Sequence, residues 1–201
     1  AIRRQLDEFA VHRVLVVAPL LVAETTWPDE IAKWRHTRVL TYEVITGSEQ
    51  RRLNRLKIDA DIHIINRENI PWLWKTLKDD WPYDWVVWDE SGRLKAGKKR
   101  TSGGKKVRED GTVAKPRLSE FGAICAARKH IRRVTELTGT PAPNGLQDLW
   151  GQIYLLDQGE RLGKTRTAFE SRWFQKDYMG YKIEPFPHSE EQIMGRIQDV
   201  M

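Results

Sequence analysis

Short apolar runs rich in β-branched residues alternate along this chain with segments of helical period. Five runs have the composition of strands, and several are apolar on both faces, as strands buried between two helical layers are. They cover residues 13–18, 39–45, 62–66, 85–88 and 133–137. Such alternation predicts an α/β fold, in which helices on both faces cover an open parallel β-sheet with right-handed crossovers.

The segments between these runs carry apolar residues at helical spacing. They lie near residues 2–11, 28–35, 48–57, 67–79 and 118–130. Two more helices are predicted further on, because Asn144 and Ser189 are residue types that cap helix starts. The last helix would turn Ile193 and Met194 inward. Trp85 and Trp88 lie within a predicted strand, and core packing is the role we expect for them.

The composition suits one globular domain. The chain has 201 residues, of which 40% are hydrophobic, and its apolar run at residues 14–23 is too short to cross a bilayer. Cys125 is the only cysteine, which excludes an internal disulfide and favours a reducing compartment. We therefore expect a cytoplasmic protein without a membrane partner. The chain starts at Ala1 and stops at Met201 without a natural-looking terminus, so we expect a fragment of a longer protein.

The positive charge is concentrated in one stretch. Residues 93–117 hold ten Lys or Arg and two acidic residues, whereas the rest of the chain holds 24 basic and 26 acidic residues. The stretch is also rich in glycine and has no apolar period, which predicts a loop insertion over residues 92–117. Its charge suits a polyanion, although a loop that is merely solvated fits the charge equally well.

Two adjacent acids, Asp89 and Glu90, follow the fourth predicted strand. Ligands of open parallel sheets bind at the carboxyl ends of the strands, so residues at this position are candidates for chemistry. In nucleotide hydrolases one such acid holds Mg²⁺ and the next polarises the attacking water. Strand-end acids also cap helices or pair with basic neighbours, and the pair alone does not decide between these roles.

A second candidate segment, Thr138-Gly139-Thr140, follows the fifth predicted strand and leads into a proline-rich turn. Its hydroxyl groups could donate hydrogen bonds to the acids at the neighbouring strand end. A strand, turn and helix joined by ordinary turn chemistry would account for the same residues.

Taken together, these segments resemble the motifs of Swi/Snf-type DNA-dependent ATPases, which are helicase-like proteins of superfamily two. Residues 14–20, followed by Trp27, Glu30 and residues 33–34, resemble motif Ia, and residues 46–48 resemble motif Ib. Asp89-Glu90-Ser91 resembles motif II, although the family often has Ala-His after the acids. Residues 137–141, with Asn144, Leu146 and residues 149–150, resemble motif III most specifically. The Asp-Glu-Ser variant and residues 154–163 resemble phage- or prophage-encoded members.

The resemblance covers roughly residues 1–157 and implies a RecA-like fold, binding of ATP with Mg²⁺, and movement along double-stranded DNA. It implies that Asp89 and Glu90 are catalytic, that Asp89 holds Mg²⁺, and that residues 138–140 couple hydrolysis to movement. The resemblance and the basic stretch together suggest ten contacts with DNA. These are Pro19, Leu20, Thr46, Gly47, Ser48, Asn66, Lys95, Lys98, Lys99 and Arg100.

The resemblance also implies two segments outside this chain. The phosphate-binding loop of the family would lie before Ala1, and a second RecA-like lobe with catalytic arginines would follow Met201. Residues 158–201 would then be an extension of the first lobe. Residues 159–165 look like a phosphate-binding loop, but they have three residues between the glycines where that motif has four. A nucleotide site is therefore not expected there.

Two other functions remain open at this point. The chain could be a DNA-binding or regulatory module of the same fold without catalysis, because the loop that would discriminate lies outside it. It could also be a metal-dependent nuclease that uses Asp84, Asp89, Glu90 and Lys95. The spacing of Glu90 and Lys95 is wider than the single intervening residue that such nucleases use.

Overall fold

Five parallel strands form the central sheet in the computed structural model, which describes residues 1–8, 10–94, 118–176 and 183–201. The strands are β1 (Val14–Ala18), β2 (Tyr42–Ile45), β3 (Ile62–Asn66), β4 (Trp85–Asp89) and β5 (Arg133–Leu137). Their order across the sheet is β2-β3-β1-β4-β5, and all four neighbouring pairs are parallel. The predicted open parallel sheet is confirmed.

Eight α-helices accompany the sheet within the described ranges. They are α1 (Ile2–Asp7), α2 (Trp27–Lys33), α3 (Glu49–Leu56), α4 (Ile70–Leu77), α5 (Glu120–Ala127), α6 (Leu149–Asp157), α7 (Arg166–Trp173) and α8 (Ser189–Ile197). A small antiparallel hairpin of β6 (Phe174–Lys176) and β7 (Ile183–Pro185) lies between the last two helices. None of the described helices is long and apolar enough to cross a membrane.

Helices cover both faces of the sheet because the central strands are apolar on both sides. In β1, Val14 and Val16 belong to an apolar cluster that includes residues of α1 and α2, and Leu15 and Val17 belong to a cluster that includes residues of α4 and α5. All five residues of β1 are fully buried. Each fully buried valine or leucine contributes about 1.5–3 kcal/mol relative to an exposed one. The layering predicted from the alternation, with helices on both faces of the sheet, is therefore present.

Neither predicted capping residue, Asn144 or Ser189, caps its helix, whereas Ser48 caps a helix for which no cap was predicted. Ser48 caps α3, since its hydroxyl oxygen accepts a hydrogen bond from the backbone N–H of Arg51. The prediction for Asn144 is wrong, because a 3-10 turn at Leu146–Asp148 precedes α6 and Asn144 instead donates to the Asp148 carboxylate. Ser189 lies inside α8, and its hydroxyl donates to the Trp173 carbonyl.

The C-terminal residues build a third apolar cluster around Phe169 and Trp173. Ile193 is fully buried there, as predicted, but Met194 is 41% exposed and the prediction that it faces inward is wrong. The cluster also contains Leu149 from α6. Packing in this part of the chain therefore begins before residue 158, and an extension over residues 158–201 remains a proposal.

Asp84 joins the start of β1 to the start of β4. Its carboxylate accepts hydrogen bonds from the backbone N–H groups of His12 and Arg13. Burial raises the pKa of Asp84, but these hydrogen bonds outweigh it and leave the pKa below its ordinary value. The charged form is therefore stabilised by the fold, and that stability is lost as the pH falls through the folded-state pKa.

We predict that Asp84→Ala lowers the free energy of unfolding by about 1–3 kcal/mol at neutral pH, because it removes a charged acceptor from two backbone N–H groups. Urea unfolding at pH 7 measures the loss. Asp59→Ala is the matched control, since Asp59 pairs with Arg13 but its side chain is 89% exposed, and such exposed pairs contribute little. Equal losses in the two variants would contradict the role of Asp84.

Candidate functional site

The register of the strands brings the predicted motifs to one edge of the sheet. Ala18 lies opposite Asn66, and Asp89 lies opposite Leu137. Pro19 and Thr138 therefore emerge from the same edge as Asp89. The structure thus assembles the segments that resemble motifs Ia, II and III at the carboxyl ends of β1, β4 and β5, where open parallel sheets bind ligands.

Asp89 is held at this edge by two hydrogen bonds. One carboxylate oxygen, Oδ1, accepts from the backbone N–H of Glu90 at 3.0 Å. The other, Oδ2, accepts from the indole N–H of Trp27 at 2.9 Å. A carboxylate oxygen has room for two donors, so each oxygen keeps one site that can accept from water or face a cation.

Glu90 stands where the backbone turns sharply out of β4. It adopts a left-handed conformation with φ 55° and ψ 45°, and its side chain is exposed at the strand end. Few non-glycine residues adopt this conformation, which costs of order 1–3 kcal/mol and clusters at active sites and ligand clamps. The turn places Asp89 and Glu90 in different surroundings: the first is tied to its neighbours and the second faces solvent.

Gly92 allows motif II to touch motif III directly. A Cβ atom at Gly92 would lie 2.4 Å from the Thr140 carbonyl oxygen and 3.1 Å from Thr138 Oγ1. Thr138 Oγ1 itself accepts from the backbone N–H of Thr140 at 3.1 Å, and no described hydrogen bond joins it to Asp89 or Glu90. The predicted bond between these hydroxyls and the acids is therefore replaced by backbone contact at a glycine.

A buried chain of polar groups lies behind this contact. The Ser91 hydroxyl is fully buried and donates to Gln152 Oε1 at 3.2 Å. The amide nitrogen of Gln152 donates to the carbonyl oxygens of Pro141, at 2.5 Å, and Asp148, at 3.2 Å. One glutamine of α6 thus ties the residue after the two acids to the turn that follows Thr140.

Glu136 of β5 lies beside this series of hydrogen-bonded side chains. Burial raises the pKa of its carboxyl to about 8, and a hydrogen bond with Ser91 acts in the opposite direction. Its Oε1 atom is buried and has no partner among the described residues. Sequence reasoning assigned no role to Glu136, Gln152 or Gly92. For Gln152 the available signal was a polar residue inside an apolar helix, which is unusual unless the residue is partnered.

Motif Ib forms the start of α3. Gly47 has φ +87°, a conformation that favours glycine, and its carbonyl oxygen accepts from Arg52. Ser48 is exposed but its hydroxyl caps α3, while Thr46 is only 1% exposed. Gly47 and Ser48 can therefore reach a ligand, whereas Thr46 supports the turn from below.

The other residues predicted to contact DNA differ in accessibility. Leu20 is 49% exposed at the end of β1, next to the half-buried Pro19. Asn66 is 7% exposed, and both polar groups of its side chain are engaged, with Glu68 and Asn69. The geometry favours a supporting role for Asn66 over direct contact. Four more predicted contacts lie outside the described residues: Lys95, Lys98, Lys99 and Arg100.

The loop at residues 159–165 is filled by a side chain of the protein. The Asp157 carboxylate accepts from the backbone N–H groups of Gly159, Glu160 and Arg161 at distances of 2.8–3.2 Å. An anion is therefore already seated where a phosphate would have to bind. This agrees with the expectation that the loop is not a nucleotide site.

The residues at the strand edge could bind Mg²⁺ only if waters and substrate phosphates supply most of its ligands. No group of three or more His, Cys, Asp or Glu side chains that could hold a metal ion occurs in the described ranges. Mg²⁺ at phosphate-transfer sites needs only one or two carboxylates, and waters and substrate phosphates supply its other ligands. Asp89, with one free site on each oxygen, fits that role.

The nuclease hypothesis does not agree with the geometry. Asp84 precedes β4 and is bonded to His12 and Arg13, whereas Asp89 and Glu90 lie at the opposite end of the strand. A strand rises about 3.3 Å per residue, so five residues separate Asp84 from Asp89 by roughly 16 Å. Asp84 therefore cannot share a metal ion with Asp89 and Glu90. Lys95, the remaining residue of the hypothesis, lies outside the described residues.

Comparison with known proteins places these motifs in a family context. A model of the SNF2-related domain matches residues 4–201. The chain is 42% identical over 191 residues to putative protein p41 of Acyrthosiphon pisum secondary endosymbiont phage 1, which covers 92% of this chain and 38% of that protein. It is 28% identical over 167 residues to the human (Homo sapiens) DNA excision repair protein ERCC-6-like, which covers 80% of this chain and 12% of that protein.

The fold has a counterpart among solved structures. The Sulfolobus solfataricus SWI2/SNF2 ATPase core in complex with dsDNA matches with a TM-score of 0.65 and 20% identity, over 98% of this chain and 35% of that one. The predicted resemblance to a phage-type member of such a family is confirmed. The chain spans well under half the length of both relatives.

We predict that Gly92→Ala lowers the free energy of unfolding by about 1–3 kcal/mol, as overpacking of a filled site does. The added methyl group would collide with the Thr140 carbonyl oxygen. Gly139→Ala is the matched control, because a Cβ at Gly139 meets nothing within 4 Å, and its effect should stay within about 0.5 kcal/mol. Denaturant unfolding distinguishes the two, and a neutral Gly92→Ala would show that the motifs are not in contact.

We predict a pH-dependent stability that comes from Glu136. Its folded-state pKa of about 8 lies above the ordinary value of 4.5, so the folded chain retains a proton that the unfolded chain releases. Between these values the free energy of unfolding falls by up to about 1.4 kcal/mol per pH unit as the pH rises. Glu136→Gln removes this contribution while keeping the shape of the neutral acid.

Unfolding of wild type and Glu136→Gln is therefore compared between pH 5 and pH 8. The two proteins should be of similar stability at pH 5, and the variant should become the more stable one as the pH rises. A stability difference that stays constant over this range would show that Glu136 is not held in a neutral form.

Proposed function

Because this chain belongs to the SNF2-related domain family, we propose that it is the first RecA-like lobe of an ATPase that moves along double-stranded DNA. The observation that carries the proposal is the arrangement at one sheet edge. Asp89 ends β4 and Glu90 follows it, and Gly92, two residues further on, lies against Thr138 and Thr140 after β5. Such a site places two acids that could act on ATP beside a segment that could couple hydrolysis to movement.

Asp89 and Glu90 take different parts in the proposed reaction. Mg²⁺ and ATP supply the phosphoryl group and a cation that neutralises its developing charge. Asp89, which is held by Trp27 and the Glu90 backbone, orients the water ligands of that cation. Glu90 is exposed at the strand end and accepts a proton from the water that attacks the phosphoryl group.

The remaining parts of the site would come from other segments of a longer protein. Phosphoryl transfer depends on positioning and on charge stabilisation by a phosphate-binding loop and by arginines. We propose that a segment before Ala1 supplies the loop and that a second RecA-like lobe after Met201 supplies the arginines. β5 is the outer strand of the sheet, and its residue Leu137 is 40% exposed, so a further strand could pair there.

DNA would cross the same edge of the sheet. Leu20, Gly47 and Ser48 are exposed beside the ends of β1 and β2 and are the described residues that we propose to face it. The basic segment 93–117 follows motif II directly in the sequence. Its Lys and Arg side chains would extend the DNA-binding surface by contacts with phosphates. A cytoplasmic location agrees with this function and is part of the proposal.

We predict that the 201-residue chain alone hydrolyses ATP at the background rate and that the longer protein shows DNA-stimulated hydrolysis. In the longer protein, Glu90→Gln should abolish turnover and spare nucleotide binding, because it removes a base and keeps the shape. Asp89→Asn should weaken the binding of Mg²⁺–ATP as well. Steady-state hydrolysis and fluorescent-nucleotide titration measure these effects.

A longer protein that binds DNA but neither binds nor hydrolyses ATP would favour the regulatory module in place of the ATPase. Full turnover by Glu90→Gln would refute the assignment of the base while leaving the family's activity intact. These outcomes separate the two functions that the sequence left open.

We predict that the basic residues between 93 and 117 bind duplex DNA through its phosphates, without sequence preference and in a salt-sensitive manner. If about four phosphates are neutralised, the logarithm of the affinity should fall with the logarithm of the salt concentration with a slope of roughly −3.6. The test variant replaces Lys98, Lys99, Arg100, Lys105 and Lys106 with serine. It should bind more weakly and with a shallower slope, and an unchanged slope would show that the loop does not contact DNA.

A further inference from the structure

We propose that Trp27 is a positioning residue for Asp89 and that its indole N–H determines how the carboxylate faces the bound cation. This inference rests on the proposed function, in which Asp89 serves Mg²⁺. The resemblance to motif Ia included Trp27 without giving its side chain a task. In the structure its Nε1 atom donates to Asp89 Oδ2 at 2.9 Å, across 62 residues of sequence.

The hydrogen bond completes a fixed orientation of the carboxylate. The backbone N–H of Glu90 alone holds Oδ1 and leaves the group free to rotate about that contact. The second donor, on Oδ2, removes this freedom. Hydrogen bonds to a ligating carboxylate are the usual means by which a protein orients a metal ligand and tunes its affinity.

Trp27 itself is held in place by its surroundings. Its ring is half-buried and packs on the apolar cluster formed by α1, α2 and one face of the sheet. A donor anchored in this way has little rotameric freedom left to lose on binding, so its hydrogen bond can act as a rigid support.

An irregular helical turn sets the direction of the indole. Residues Val22–Thr26 form a π-helical turn, and the backbone N–H of Trp27 donates to the Val22 carbonyl, five residues back. An α-helix turns about 100° per residue, so one extra residue in the turn rotates all that follows by about that angle. Pro28 explains the wide turn, since a proline inside an α-helix lacks an N–H and collides with the carbonyl four residues earlier. Trp27 faces Asp89 because of this rotation.

The chain contains a matched control, Trp34, directly after the end of α2. The indole N–H of Trp34 donates to Glu30 Oε2 at 2.7 Å, but Trp34 is 49% exposed and is bonded to an acid outside the site. Both residues are tryptophans that donate to a carboxylate, so replacing either removes the same kind of bond. Only Trp27 is bonded to the acid at the end of β4.

The contact itself is tested on this chain by the indole signals in ¹⁵N-labelled protein. Asp89→Ala should shift the Trp27 indole signal and speed its hydrogen exchange, while Glu30→Ala should do the same for Trp34 alone. A Trp27 signal that is indifferent to Asp89→Ala would overturn the inference, whatever the chain's activity.

The consequence is tested in the full-length protein without turnover, by titrating a fluorescent ADP analogue at increasing Mg²⁺ concentration. Trp27→Phe should raise the Mg²⁺ concentration for half-maximal binding by about tenfold, the lower end of the range seen when a support of a metal ligand is removed. Trp34→Phe should leave it unchanged. If Trp27→Phe does not fold, an analogue of tryptophan with sulfur in place of the N–H keeps the ring shape and removes only the donor.

In the same titration, Asp89→Asn distinguishes a failure of the positioning role of Trp27 from a failure of the proposed Mg²⁺ role of Asp89. If it shifts the Mg²⁺ dependence and Trp27→Phe does not, the positioning role is wrong and the proposed function stands. If Asp89→Asn itself leaves the Mg²⁺ dependence unchanged, the assignment of Asp89 fails, and with it the positioning role.

Discussion

Parallel pairing of β1 with β3 and β4, and of β4 with β5, is the constraint on which the site depends. Parallel strands in register end together, so residues far apart in sequence meet at one edge without any contact of their own to attract them. Pro19, Asp89 and Thr138 owe their proximity to the burial of β1 and β4 on both faces. The apolar core thus determines where the polar residues lie.

Motif II departs from regular backbone at the point where it meets motif III. Glu90 leaves β4 in a left-handed conformation, and Gly92 then passes so close to the Thr140 carbonyl oxygen that no side chain fits. Ser91 and Gln152 lock this arrangement from behind by hydrogen bonds. The strain at Glu90 is therefore maintained by its surroundings, which is the condition under which strained residues persist at functional sites. The backbone of motif II at Gly92 therefore lies directly against that of motif III at Thr140.

The sequence predicted best what depends on periodicity and least what depends on single contacts. The strands that become β3 and β5 were predicted to the residue, because the pattern of a buried strand is a local one. The strand predicted from residue 39 begins at Tyr42, since Val39 is 59% exposed and has no sheet partner. Asn144 and Ser189 have capping side chains but use them on Asp148 and Trp173. Trp27 meets Asp89 across 62 residues, a contact between distant segments that no local pattern predicts.

Two glutamates are candidates for the proposed base, and geometry favours Glu90 over Glu136. A general base works best with a pKa near the working pH, which taken alone would favour Glu136, whose pKa burial raises to about 8. Glu136, however, is a residue within β5, its Oε1 atom is buried, and its carboxyl is hydrogen-bonded to Ser91. Glu90 is exposed at the strand end, next to the acid that fits Mg²⁺. Reach comes before pKa in choosing a base, so Glu90 remains the proposed base, and Glu136 is proposed to support the contact between the two motifs.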